Sequence, residues 1–328
     1  MGRAGDEELA GFLGTLYGVN EVNPGKEDRL LGSLISDAYE SATLDRRSLT
    51  ARAHVIGASA LAEERMSLLD TQIDAQAEGI IAALPANLLP ERRLLAAANA
   101  IAQKAYAGKT RKSGTPYYEH PRRVAAMGFH ILGQLETDGF TIDSDFKDIV
   151  VADGLLHDAS EETIRSCRYY DPHRPESFSP HLVQRTFEKL GSPYAPLAAT
   201  GLRLMTHYTH EPWMPTYQEY YMIGSSDFIF CLVKALDMYD NLHVDPKPLP
   251  ENAPDKVRHI KGKQRLYAEG MQYLSIAAGQ RTDSPDNVAW TPRFFTILRG
   301  IKASDMPELT TQLDEHIYEK PYEMKAAS

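Results

Sequence analysis

The sequence predicts an all-α protein, and three observations support that fold class. Apolar residues recur at helical spacing through most of the 328 residues, for example between residues 94 and 105. Alternating apolar and polar runs, which would indicate strands, are scarce. Three proline-bearing segments, at residues 22–25, 171–180 and 245–254, interrupt the apolar pattern where breaks between helices are expected.

The charge balance argues against nucleic acid as the main partner of this chain. Its 35 Lys and Arg residues are outnumbered by 45 Asp and Glu residues, which gives a formal net charge of −10 at pH 7. Nucleic-acid binding depends on a dense positive surface, whereas a small anionic ligand needs only a local cluster of Arg and Lys. We therefore expect no nucleic-acid partner, while a small anion is compatible with the composition.

The cysteines and the apolar runs indicate the compartment. Cys167 and Cys231 cannot form a disulfide framework and are too few for a cysteine-based metal site, so we expect two buried thiols. Residues 1–6 carry acidic side chains where a signal peptide would have basic ones, and no apolar run is long enough for a membrane helix. These features predict a cytoplasmic protein with no membrane partner.

We expect three parts along the chain. Residues 1–88 form an N-terminal helical extension of unknown role, residues 89–245 a core that carries the chemistry, and residues 246–328 a C-terminal helical segment that packs on the core. The extension carries an apolar stripe that needs a partner surface. That surface belongs either to the core of the same chain or to a second copy, so a homo-oligomer is compatible with the sequence. The stripe consists of Leu69, Ile73, Ala77, Ile80 and Leu84.

The strongest chemical signal is an apolar helical run at residues 149–156 that ends in His157 and Asp158. Adjacent side chains on a helix point about 100° apart, so both can reach an ion placed between their directions. Glu161 and Glu162 follow one turn later, on the same side as this pair. Taken alone, the segment is more typical of a capped, solvated helix end.

A second signal is the basic loop at residues 108–120. Glycine and proline predict a compact turn there, Arg111 and Lys112 supply positive charge, and His120 precedes a proline that can open a helix. Taken alone, the segment is typical of a solvated basic loop with a surface histidine. Beside a metal site, the two cationic side chains could hold phosphate oxygens.

A third signal is a mainly apolar helix at residues 227–241 that carries a polar stripe. Lys234, Asp237 and Asn241 recur at i, i+3 and i+7, so they share one face of the helix. A buried charge should be paired or bound to a metal, because burying it alone is costly. The stripe therefore indicates either a metal ligand or an internal salt bridge.

The three signals together supply two imidazoles and two carboxylates. This mixed nitrogen and oxygen set suits manganese, iron or zinc better than magnesium or calcium, and we expect Mn2+ with another divalent cation as the alternative. A cation there would lower the pKa of its bound water.

These segments resemble the hydrolase domain of the RelA/SpoT-type alarmone enzymes, in particular the stand-alone small alarmone hydrolases. The family's first motif, Arg-Lys-Ser-Gly-x-Pro-Tyr-x-x-His-Pro, matches residues 111–121 in full. Its second, Leu-Leu-His-Asp-x-x-Glu-Asp-Thr, matches residues 155–163 with Glu162 in place of the aspartate. Its third, Val-Lys-Leu-Ala-Asp-x-x-x-Asn, matches residues 233–241 with the leucine and alanine reversed. The resemblance covers about residues 90–245.

The resemblance implies an HD-domain helical bundle and an enzyme of the stringent response that releases pyrophosphate from the 3′ position of a nucleotide alarmone such as (p)ppGpp. It implies metal ligation by His120, His157, Asp158 and Asp237. It implies substrate contacts from Arg111, Lys112, Ser113, Lys234 and Asn241. It assigns water activation to Glu161 with Glu162, without distinguishing which of them is the general base.

Other functions are compatible with the same residues. An HD hydrolase could act on another 3′-phosphorylated nucleotide, such as an adenine alarmone or NADPH, because the motifs do not place the walls that recognise the base. A non-catalytic alarmone-binding regulator would be favoured by a lost ligand, yet all four ligands and both acidic residues are present. A helical assembly protein in which the HD core is a relic is a third alternative. The histidines of residues 206–210 could bind a second metal and the tyrosines of residues 217–221 could stack on a base, although surface and packing roles are more typical.

Overall fold

The chain is helical in the part that the structure describes, which confirms the predicted all-α class. The computed structural model describes residues 71–111, 114–162, 178–206, 217–247, 249–250, 253–280 and 285–318, with the side chains of all except 217–219 and 285–288. Within these ranges no residue belongs to a β-strand.

The described ranges contain eleven numbered helices and a further short helical segment at residues 159–162. α1 is described over residues 71–82. It is followed by α2 (Arg93–Tyr106), α3 (Glu119–Thr137), α4 (Ser144–Leu156), α5 (Pro180–Lys189), α6 (Ala195–Met205), α7 (Tyr217–Gly224) and α8 (Phe228–Tyr239). A π-helical turn, Asp240–Val244, then precedes α9 (Pro254–Gly279), α10 (Pro285–Gly300) and α11 (Met306–Tyr318). Short 3-10 turns, Pro90–Arg92 and Ala303–Asp305, stand before α2 and α11.

The two helices that end at the candidate site begin at aspartates that cap them. Asp143 accepts a hydrogen bond from the backbone N–H of Phe146 at the start of α4, and Asp227 accepts one from Phe230 at the start of α8. Each carboxylate satisfies an N–H group that has no partner inside the helix, and its charge favours the positive end of the helix dipole. These caps define where α4 and α8 begin.

α3 and α4 approach each other closely because a glycine lies at their contact. A Cβ at Gly154 would lie 3.0 Å from the Cα of Ala125, so any side chain there would force the helices apart. Gly154 lies three residues before His157, and Ala125 lies five residues after His120. The close contact therefore holds together the two helix ends that carry these histidines.

The apolar stripe of the N-terminal extension packs on the core of the same chain. Ile73, Ala77 and Ile80 belong to the common buried core, and Leu84 is partly buried against it. Leu69 lies outside the described residues. Of the two partner surfaces that the sequence leaves open, the structure shows the chain's own core.

The C-terminal helices cover the outer side of α3 and α8. Asp314 of α11 forms an ion pair with Arg122 of α3, and Trp290 of α10 packs near Phe146 and Phe228.

Nowhere in the described part of the chain does a helix combine the length and the apolarity needed to cross a membrane.

The remaining predictions from the sequence concern the two cysteines, the histidines at 207 and 210 and the tyrosines of residues 217–221. Cys231 is a buried thiol in α8, as expected, whereas Cys167 and the histidines at 207 and 210 lie outside the described residues. Tyr220 and Tyr221 are buried, and the hydroxyl of Tyr220 donates to the carbonyl oxygen of Met205. These two tyrosines therefore have the packing role.

Candidate metal centre

The structure brings together the four residues that the sequence singles out as metal ligands. His120 is the second residue of α3, His157 directly follows α4 and is followed by Asp158, and Asp237 lies in the last turn of α8. His120, His157 and Asp237 are all less than 5% exposed. Three helix ends thus meet at one polar point inside an apolar bundle.

The candidate ligand atoms face one another at short range. Nε2 of His120 lies 3.1 Å from Oδ1 of Asp237 and 3.6 Å from Oδ2 of Asp158. Nε2 of His157 lies 3.5 Å from Oδ1 of Asp158 and 3.5 Å from Oδ1 of Asp237. Neighbouring ligands of one ion, with bonds of about 2.1 Å, are about 3.0 Å apart in octahedral and about 3.4 Å apart in tetrahedral geometry. These spacings therefore fit a shared cation.

His157 presents a buried acceptor to this point. Its Nδ1 lies 2.9 Å from the carbonyl oxygen of Gly154, so Nδ1 carries a hydrogen, and in the neutral ring the lone pair is on Nε2. Nε2 is buried and finds no hydrogen-bond partner among the described residues. A buried polar atom without a partner is rare in folded proteins, and a cation would satisfy this one.

His120 lies in a strongly negative environment. Burial by itself lowers the pKa of this imidazole, but the carboxylates of Asp240 and Asp237 outweigh burial and raise the pKa to about 9. Nδ1 of His120 is 2.6 Å from Oδ2 of Asp240. The carboxylates that favour a proton on this ring also favour a cation beside it.

Both candidate carboxylate ligands are held in the ionised form. Burial acts to raise the pKa of Asp237, but the ammonium of Lys234, 2.8 Å away, lowers that pKa well below its usual range. Asn241 donates to Oδ1 of Asp237 at 2.7 Å and to its carbonyl oxygen at 2.9 Å. Burial also acts to raise the pKa of Asp158, and the nearby His157 contributes most to the net lowering of that pKa. Ionised carboxylates are the form in which a cation is bound.

The basic loop closes beside this centre. The backbone N–H of Arg111 donates to the carbonyl oxygen of Thr115 at 2.8 Å, and Gly114 takes a φ of 86° that favours glycine. Nη2 of Arg111 donates to Oδ1 of Asn241 at 2.9 Å, and Nη1 lies 3.3 Å from Oδ2 of Asp245. Two predicted substrate contacts of this loop, Lys112 and Ser113, lie outside the described residues.

The other predicted contacts lie on two sides of the centre. Lys234 and Asn241 are both engaged with Asp237, as described above. Glu162 is buried, and its Oε2 lies 4.0 Å from Nζ of Lys109. Glu161 is half-buried in the same short helical segment. Both glutamates thus lie about one helical turn after Asp158.

Sequence reasoning missed three residues that contact the candidate ligands or their neighbours. Asp240 contacts His120, Arg123 contacts Asp240, and Tyr117 donates to Oδ2 of Asp158 at 2.8 Å. A signal existed for two of them, because Arg123 and Asp240 each lie three residues after a candidate ligand and therefore share its helix face.

Comparisons with known proteins do not assign the chain to a family. No family model matches it, and neither a curated protein nor a solved structure does. The functional assignment therefore depends on the chemistry of the site.

Proposed function

We propose that this chain is a metal-dependent phosphohydrolase with an HD-domain bundle, which removes the 3′-pyrophosphate of a nucleotide alarmone such as (p)ppGpp. The observation that carries the proposal is that the buried Nε2 atoms of His120 and His157 both lie 3.1 to 3.6 Å from carboxylate oxygens of Asp158 and Asp237. The nearby guanidinium of Arg111 supports an anionic substrate, because it can pair with a phosphate group through two parallel hydrogen bonds.

The ligand set supports a transition metal, and we propose Mn2+. When bound, the cation would supply a water of lowered pKa and a Lewis acid for the phosphoryl oxygens. The buried Nε2 of His157 supports this proposal, since it offers a lone pair that lacks a partner in the described part of the chain.

The surrounding residues would orient the ligands and the substrate. Lys234 and Asn241 hold Asp237 from two sides, so both would act on the metal ligand as well as on the nucleotide. Arg111 would bind the pyrophosphate group, exchanging its contact with Asp245 for one with phosphate oxygens.

The proton balance of the reaction involves the two glutamates. Glu161 or Glu162 would take a proton from the attacking water as its oxygen bonds to phosphorus. The bond between that phosphorus and the nucleotide 3′-oxygen then breaks, and the leaving oxygen takes up a proton. The products are free pyrophosphate and a nucleotide with a 3′-hydroxyl group.

The test is nucleotide hydrolysis by metal-stripped and Mn2+-loaded protein. We expect pyrophosphate release from (p)ppGpp only with the cation, and no turnover in Asp158→Ala. Asp314→Asn is the matched control, because it changes a buried acid whose arginine partner is Arg122, and it should keep its turnover. Faster hydrolysis of an adenine alarmone or of NADPH would change the substrate class. Full turnover without metal, or none on any nucleotide with metal bound, would overturn the proposal.

A further inference from the structure

Asp240 is a buried carboxylate beside the metal centre that the proposed ligand set does not use. It is fully buried and directly follows α8, three residues after Asp237. Its Oδ2 lies 2.6 Å from Nδ1 of His120, whereas Asp237 lies 3.1 Å from Nε2 of the same ring. Asp240 and Asp237 therefore contact the same histidine through opposite nitrogens.

Two arginines hold this carboxylate in place. Nε and Nη2 of Arg123 donate to Oδ1 and Oδ2 of Asp240 at 2.7 and 2.9 Å, which is a bidentate pair. Nη1 of Arg111 lies 3.6 Å from Oδ2. Burial acts to raise the pKa of Asp240, but Arg123 and then His120 bring it down to about 2. A buried carboxylate needs such partners, because its desolvation is costly.

Asp245 extends the same network away from the centre. Its Oδ2 lies 3.1 Å from Nη2 of Arg123 and 3.3 Å from Nη1 of Arg111. Arg123 and Arg111 thus each lie between the carboxylates of Asp240 and Asp245. Asp240, which faces His120, has the bidentate contact with Arg123. This arrangement leaves Asp240 little freedom to turn away from the histidine.

We propose that Asp240 is a positioning residue of the metal centre, which orients His120 and determines which of its nitrogens faces the cation. The inference rests on the proposed metal-dependent function. A hydrogen bond from Nδ1 of His120 to Asp240 leaves the lone pair of Nε2 for the cation and makes the ring a stronger ligand. His157 differs, because its Nδ1 faces the neutral carbonyl oxygen of Gly154. The two histidines are therefore unequal ligands, and His120 is the stronger.

The chain offers a matched control for this role. Arg122 and Arg123 are neighbours in α3, and each is paired with a buried aspartate. Asp314, the partner of Arg122, is 3% exposed and belongs to α11. In the described part of the chain, only the pair of Arg123 and Asp240 contacts a candidate metal ligand, which is His120. Replacing either aspartate removes a buried, arginine-paired charge, so the two variants should differ in metal binding more than in folding.

The test measures the affinity of the full chain for Mn2+ by calorimetry and the visible absorption of the Co2+-loaded protein, which reports ligand geometry. Asp240→Asn keeps the size of the side chain and removes its charge, so we expect the affinity to fall by about 10- to 100-fold and the Co2+ absorption to change. Arg123→Lys should lose less affinity than Arg123→Ala, because lysine keeps a positive charge near Asp240. Asp314→Asn should bind Mn2+ as the wild type does.

Each outcome decides between the inference and its alternatives. Wild-type affinity in Asp240→Asn would overturn the role of Asp240 and leave the metal-dependent function intact. Equal losses of affinity in Asp240→Asn and Asp314→Asn, with equal falls in Tm, would overturn it as well, because they would indicate a purely structural role. A wild-type chain that binds neither Mn2+ nor Co2+ would overturn the proposed function together with this inference.

Discussion

The hydroxyl of Tyr117 donates a hydrogen bond of 2.8 Å to Oδ2 of Asp158. Burial, followed by the charge of Asp158, raises the pKa of Tyr117 far above its ordinary value, so the phenol keeps its proton and acts as the donor. The ring of Tyr117 stacks on Tyr106, with the centroids 5.4 Å apart. Tyr117 belongs to the basic loop, so its hydrogen bond to Asp158 holds this candidate metal ligand in place.

Removing this hydroxyl should weaken metal binding without abolishing it. A hydrogen bond to a charged group contributes about 1.5 to 3 kcal/mol, and each 1.4 kcal/mol is about tenfold in affinity. Because water can replace part of the bond, we expect Tyr117→Phe to raise the Kd for Mn2+ by up to about tenfold. Calorimetry measures this change. Tyr239→Phe is the control, since that hydroxyl donates to the carbonyl oxygen of Ile301; equal Kd values for both variants would show that Tyr117 does not position Asp158.

The pair between Lys234 and Asp237 predicts a metal-dependent effect on stability. Both side chains are buried, and their ion pair is 2.8 Å long. Breaking a buried pair leaves an uncompensated charge, so Lys234→Met should lower the free energy of unfolding of the metal-free protein by about 3 to 5 kcal/mol. A bound cation would compensate the charge of Asp237, so the loss should be smaller with Mn2+ present.

Urea unfolding with and without Mn2+ measures this difference. Lys147→Met is the control, because its pair with Glu136 lies at the surface, and we expect a much smaller loss that is the same in both conditions. A loss in Lys234→Met that Mn2+ leaves unchanged would argue against a cation beside Asp237.

How far the site could be predicted from the sequence depends on how its residues are spaced along the chain. His157 and Asp158 are adjacent, so helix geometry alone gives their shared direction. Asp237 is recognisable as a charge within an apolar helix. Arg123 and Asp240 each lie three residues after a candidate ligand, but their pairing with each other could not be predicted, because 117 residues separate them.

The same reasoning applies to the fold. Helical periodicity predicts the all-α class, because it is a local property of the chain. The partner of the stripe that contains Ile73 and Ala77 could not be predicted, since an apolar face has one pattern whether it packs on its own core or on a second copy. The close contact between Gly154 and Ala125 likewise requires the packed helices.

Asp153 predicts an unusual dependence of stability on pH. It is fully buried in α4, and neither carboxylate oxygen has a hydrogen-bond partner among the described residues. A Cβ at Gly201 of α6 would lie 2.7 Å from its Oδ2, so α6 closes over the group. Burial, followed by the charge of Asp227 at the start of α8, raises the pKa of Asp153 well above its ordinary value. The folded chain therefore binds this proton more tightly than the unfolded chain does.

The sign of the effect follows from proton linkage. Below the unfolded pKa of about 3.9 the carboxyl is neutral in both states, and as the pH rises above that value only the unfolded chain gives up the proton. The contribution of Asp153 to stability is thus lost progressively until the pH passes the raised pKa of the folded state. Asp153→Asn cannot ionise, so its unfolding free energy relative to wild type should increase as the pH rises above about 4. Urea unfolding at several pH values measures this, and parallel curves for the two proteins would show that Asp153 is not the linked group.

The last prediction concerns Arg111, whose guanidinium contacts Asn241 at 2.9 Å and Asp245 at 3.3 Å at the edge of the candidate metal centre. A charge-assisted hydrogen bond to phosphate contributes about 1.5 to 3 kcal/mol, so Arg111→Ala should lower kcat/KM for a pyrophosphorylated nucleotide by about 10- to 100-fold. The kcat/KM of Arg111→Lys should fall between those of wild type and Arg111→Ala, because lysine keeps the charge but cannot form the two parallel hydrogen bonds of a guanidinium.

The affinity of Arg111→Ala for Mn2+ should change little, because Arg123 alone still holds Asp240 through two hydrogen bonds of 2.7 and 2.9 Å. Arg293→Ala, which removes a surface arginine paired with Asp138, is the control and should retain both turnover and metal binding. Kinetics on the nucleotide panel and calorimetry with Mn2+ separate the two properties. Wild-type kcat/KM in Arg111→Ala, with Asp158→Ala inactive, would leave the metal centre in place and remove the basic loop from substrate binding. A large loss of metal affinity in Arg111→Ala would instead show that the loop acts on the metal centre, because Asp240 would then depend on Arg111 and not on Arg123 alone.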